Sequence, residues 1–91
     1  GDLRMNLYLL EQNVNTGYDT YDSAIVAATT ETEAKEIHPS IYRKDVIYSS
    51  DLSFWDWESD WCKPKGVQVT YIGTAKPGTN KGVILSSFNA G

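Results

Sequence analysis

A chain of 91 residues with three Trp, six Tyr, two Phe and an apolar fraction of 41% has the side chains to fold, but only as one domain burying about 60–65% of its unfolded surface. Its composition excludes an intrinsically disordered chain, and its eight scattered basic residues under a net charge of −4 argue against direct nucleic-acid binding, which starts from a clustered basic face. One cysteine excludes an internal disulfide, one cysteine with one histidine excludes the usual four-ligand zinc sets, and no apolar run approaches the ~20 residues of a bilayer span.

Gly1 to Arg4 precede a methionine and read as a remnant of an expression vector, so residues 5–91 are the expected domain. Met5 to Val14, MNLYLLEQNV, contains no Pro or Gly; its length and its Tyr and Leu content predict a strand with Leu7 and Leu9 on the buried face and Tyr8 and Leu10 on the other. Asn13 to Asp22 is rich in Asn, Gly, Asp and Thr and reads as a hairpin connection carrying Tyr18 and Tyr21. Ser23 to Thr29, SAIVAAT, is short and apolar, which predicts a buried strand antiparallel to the first.

Thr30-Glu31-Thr32-Glu33 is a capping box: the threonine hydroxyl accepts from the amide three residues on while Glu33 reaches back. A helix of two or three turns is expected from there, with Ala34 and Ile37 facing the sheet, ending at His38 because Pro39 disfavours helical geometry before it. Ser40 to Lys65 reads as a long loop, with Asp45 to Tyr48 as a short extended piece. Within it, Trp55, Trp57 and Trp61 share one parity and Asp56, Glu58 and Asp60 the other; a helical reading would instead group Phe54, Trp57 and Trp61. Pro64-Lys65-Gly66 is a turn, Val67 to Ala75 a third strand, Lys76 to Gly82 a hairpin loop around Pro77-Gly78, and Val83 to Phe88 a fourth strand.

The expected fold is α+β: an antiparallel sheet of about four strands in the order β-β-α-loop-β-β, built as two hairpins, with one short helix packed on one face. Expected core residues are Leu7, Leu9, Ile25, Ala27, Ala34, Ile37, Val67, Val69, Tyr71, Val83 and Leu85.

The stretch Asp51 to Cys62, DLSFWDWESDWC, gathers all three tryptophans, the only cysteine and several acids. Trp is favoured at binding surfaces because it buries a large area at low entropic cost; the competing reading is that these rings close a small core. Asp19 and Asp22 lack the spacing and the terminal glutamate of a calcium loop and read as solvated turn acids. His38 and Cys62 form a thiol-imidazole pair only formally, since a helix C-terminus and a buried position account for them. No glycine-rich phosphate loop, nucleophile elbow or paired His-Glu metal motif occurs, so no catalytic residue, metal or cofactor is assigned.

The run YDSAIVAA, the helix ending in IHPS, the segment WCKPKGVQVTYIG and the closing GVILSSFNAG resemble a group of small, uncharacterised bacterial and phage or prophage proteins. The resemblance spans most of residues 5–91 apart from residues 41–60. It implies a cytoplasmic accessory protein of a mobile or phage-derived gene set and carries no catalytic residue with it.

Two functions are expected from these readings. The first is a small acidic, non-catalytic protein-binding module, an inhibitor or adaptor of a partner protein. Its binding residues are Trp55, Asp56, Trp57, Glu58, Asp60 and Trp61 of the loop with Tyr18 and Tyr21, the acids complementing a basic partner. The second is a small-ligand-binding protein or minor enzyme with a pocket between the Trp-rich loop and the Tyr18/Tyr21 turn. Neither calls for a membrane or a nucleic acid, and the oligomeric state stays open.

Overall fold

The β-branched and aromatic runs form strands and the Asn, Gly and Pro clusters punctuate them. In the computed structural model, which describes residues 4–40 and 57–89, β1 is Asn6–Glu11, β2 is Thr20–Ala28, α1 is Glu31–Lys35, β3 is Gln68–Thr74 and β4 is Gly82–Asn89. A 3-10 turn at Pro64–Gly66 leads into β3. Among the described residues the fold is α+β: a four-stranded antiparallel sheet ordered β3-β1-β2-β4 with one short α-helix.

The helix begins where the capping box requires. The Thr30 hydroxyl accepts from the Glu33 amide at 3.1 Å, and the Glu33 carboxylate accepts from the Thr29 amide at 2.9 Å. Ala34 is its fully buried residue, and the helix ends at Lys35, short of the two or three turns expected and before the position that Pro39 restricts. Five residues are too few to be helical alone, so α1 persists by packing on the sheet.

Two expectations need correcting. The last two strands do not form a hairpin: β3 pairs with β1 and β4 with β2, on opposite edges. The Pro77-Gly78 turn is present, with Gly78 at φ 89 and the Thr79 amide donating to the Lys76 carbonyl. The segment containing it instead bridges the end of the central hairpin, about 14 Å across at ~4.8 Å per strand spacing, a distance seven residues span easily.

The buried face is also the opposite of the one expected. Tyr8, Leu10, Ala24, Val26 and Ala28 are buried with Ala34, Trp57, Trp61, Cys62 and Val67. Leu7, Leu9 and Ile25 are only partly covered, and Leu85 is 65% exposed. Ala34 and Val67 are core as expected, and Ile37, Val69 and Val83 pack against it. Tyr71, another expected core residue, packs edge-on against Tyr8 with ring centroids 5.9 Å apart but stays exposed on its outer side. The reason for the inversion is that β1 and β2 carry apolar residues at both parities, so alternation does not choose a face. The covering layer chooses it, and that layer is supplied by the tryptophans. Ala27 is buried although its parity is that of the open face.

Three bulges phase the sheet, leaving Asp22, Ile72 and Ile84 without a partner across the ladder; each extra residue rotates the strand locally and exposes its side chain.

Because Leu10 and Trp57 sit at zero exposure, Leu10→Ala should lower the folding free energy by about 2–5 kcal/mol and Trp57→Ala by about 3–5 kcal/mol. Urea denaturation followed by far-UV circular dichroism checks both.

Candidate functional site

The segment that follows the undescribed residues, π-helical at Trp57 and Glu58 before it turns, is pinned from both sides. Trp57 and Trp61 are fully buried, and the Trp57 indole N–H donates to the Cys62 carbonyl at 2.9 Å. The Trp61 indole nitrogen is buried and finds no partner among the described residues. The hairpin loop between β1 and β2 clamps this turn. The Gln12 amide donates to the carbonyls of Asn15 and Tyr21 at 2.7 and 2.8 Å and accepts from the amides of Val14 and Asn15, each at 2.8 Å. Asn15 in turn donates to the carbonyls of Glu58 at 2.8 Å and Trp61 at 3.2 Å, and the Tyr21 amide donates to the Asp60 carbonyl at 2.8 Å. A buried amide with all its bonds made is favourable where a half-made set would be costly.

This placement separates the expected binding residues. Trp57 and Trp61, being fully buried, offer no surface to a partner. Trp55 and Asp56 lie outside the described residues, as does the expected extended piece at 45–48. Glu58 is half-buried with its carboxylate 4.0 Å from the Lys63 ammonium. Asp60 accepts from the His38 ring at 2.9 Å. Tyr18 is 78% exposed, whereas Tyr21 is half-buried against Phe88, ring centroids 4.8 Å apart, and His38, 6.0 Å. The six of these residues that the structure describes therefore do not form one surface.

His38 and Cys62 have separate structural roles. The Ser40 amide donates to His38 Nδ1 at 3.0 Å, so the ring proton lies on Nε2, which faces the Trp57 carbonyl at 3.2 Å and Asp60 Oδ1 at 2.9 Å. Burial pushes the Cys62 thiol up from about 9 to about 11, with the Glu58 carboxylate adding to the rise. A thiol held protonated at neutral pH is a poor nucleophile. No cluster of His, Cys, Asp and Glu among the described residues could hold a metal ion. No described helix is long and apolar enough to cross a membrane.

A depression of about 280 Å³ lies between Val14-Asn15 and Glu58, Trp61 and Cys62. It sits beside the Trp-rich turn, where the small-ligand reading expects a pocket, but Tyr18 and Tyr21 do not line it.

The feature that sequence reasoning missed is the other face of the sheet. Leu9 pairs with Ile25 and Ile25 with Leu85, so these three aliphatic side chains form a row across three adjacent strands. Leu7 lies one pair further along β1. A depression of about 230 Å³ runs among Leu9, Ile25 and Leu85. At one end it shares Ser23 and Ser87 with a second, polar depression beside Glu11 and Asp22. At the other end the sheet runs into the bridging segment with Lys76 and Lys81. The signal was present in the sequence as apolar residues at both parities of β1 and β2, the pattern of strands meant to be covered twice.

No protein-family model matches the chain, and neither a curated protein nor a solved structure matches it.

For Cys62 the folded pKa lies above the unfolded one. Folding therefore favours the protonated thiol, and this contribution is whole below about pH 9 and is lost as the pH rises toward 11. Urea titrations of wild type and Cys62→Ala across that range should show wild-type stability falling more steeply. At pH 8 a thiol reagent should modify the folded protein far more slowly than the denatured one.

Proposed function

We propose that the protein acts by contact with another protein, and that its contact surface is the open apolar face of the sheet rather than the Trp-rich turn. The observation that carries this reading is the row Leu9, Ile25 and Leu85, with Leu85 65% exposed. Leaving aliphatic side chains in water costs about 25 cal/mol for each Å² that could be buried, and contiguous apolar patches of this kind mark interaction sites.

The acids remain part of the proposal. Glu11 and Asp22 rim the face and are exposed, and rim charges steer association and exclude wrong partners more than they add affinity. An inhibitor or adaptor role fits a 91-residue chain with such a face, and the segments resembling small phage or prophage proteins support a phage-derived origin.

A photo-crosslinking residue placed at Leu85 should yield discrete protein adducts in cells, while the same residue at exposed Lys65 should not. Leu9→Asp combined with Leu85→Asp should abolish adducts from a crosslinker at Ile84 while keeping the wild-type far-UV spectrum, as expected away from a packed core. Loss of the folded spectrum in the double variant would show that the face is covered within the chain and would overturn the reading.

A further inference from the structure

We infer that a second copy of this chain covers the open face, the two sheets packing face to face with their strands running in opposite directions. The inference rests on the reading of that face as a contact surface and names its occupant.

The row Leu9, Ile25 and Leu85 lies near the middle of its strands: Leu9 is the fourth residue of β1 and Leu85 the fourth of β4. A two-fold axis lying along that row stacks it on its own copy. Such an isologous contact needs no surface other than the one present. The depression among these side chains lets the rows of the two copies interdigitate, as the inner faces of a β-sandwich do at about 10 Å separation.

The face is neutral at its centre, where Thr70, Ser23 and Ser87 flank the aliphatic row in register. Its ends are opposite in sign. Glu11 ends β1 beside the bulged Asp22, and Lys76 and Lys81 lie in the bridging segment at the far end. An axis along the aliphatic row reverses strand direction and keeps each strand over its own copy. It therefore brings Lys76 toward Glu11 and Lys81 toward Asp22 of the other copy. An axis along the strands would set like charge on like charge, which disfavours it. The charge pattern thus selects one of the two arrangements and fits this chain's own surface.

Four strands at ~4.8 Å spacing and about 26 Å length outline roughly 500 Å² on each copy, about 1,000 Å² together before side-chain relief is counted. That reaches the lower bound of a specific interface, about 1,000 Å².

Sedimentation equilibrium over a range of concentrations tests the inference on the intact chain. Wild type should show twice the chain mass, and Leu85→Asp should be monomeric with an unchanged far-UV spectrum. The pair Glu11→Lys/Asp22→Lys leaves both ends basic, and the pair Lys76→Glu/Lys81→Glu leaves both acidic. Each variant should self-associate at least tenfold more weakly than wild type, and an equimolar mixture of the two should recover a dimer. A wild type that stays monomeric while Leu85→Asp folds normally would overturn the second copy and leave the contact-surface reading standing. Unfolding of Leu85→Asp would overturn both. A dimer indifferent to Leu85→Asp and to the charge swaps would place the contact at a sheet edge, and would also overturn the inference.

Discussion

Burial of Trp57 and Trp61 against one face of a four-stranded sheet is the constraint on which the rest of the molecule depends. A sheet of this size needs a second layer before it is stable in water, and α1, five residues long, supplies only Ala34 to the core as a fully buried side chain. Two indole rings provide the missing volume. They also decide which parity of β1 and β2 is inside, because the strands themselves would accept either face. Tyr8, Leu10, Ala24 and Val26 are core because the tryptophans lie on their side.

Placing a tryptophan-bearing turn over a sheet requires its backbone polar groups to be met, since a buried carbonyl without a donor is costly. Gln12 and Asn15 do this. Gln12 ties the β1–β2 loop to itself, and Asn15 carries that rigidity to the carbonyls of Glu58 and Trp61. His38 does the same from the helix side, taking the Ser40 amide on Nδ1 and facing Trp57 and Asp60 through Nε2. The residues that looked most reactive in the sequence, His38 and Cys62, are engaged with Asp60 in holding the second layer in place. The raised pKa of the Cys62 thiol follows first from its burial.

One consequence is an asymmetric sheet. With the tryptophans, α1 and the Gln12–Asn15 clamp on one side, the aliphatic residues of the other parity have no described layer above them. Edge strands β3 and β4 add to this exposure, and their bulges turn Ile72 and Ile84 outward. A functional reading centred on the open face follows from that geometry, and the opposite charges at its two ends give the face a direction as well as a place.

Much of the architecture was written locally. The capping box placed the start of α1, the Asn- and Gly-rich run the first connection, and the Val, Ile and Tyr runs the strands. These signals act over a few residues, so they can be read along the chain. The tertiary structure alone decided the rest. Whether the Pro77-Gly78 turn closed a hairpin or bridged two edges depended on β1 and β2 already occupying the centre. Whether Leu7 and Leu9 or Tyr8 and Leu10 faced inward depended on which side the tryptophans packed. The candidate site moved for the same reason: an aromatic cluster is equally good as core or as surface, and long-range packing is what assigns it. Turn and cap chemistry was legible because it is local, while the choice of face was not, because a strand apolar at both parities carries no record of which layer will cover it.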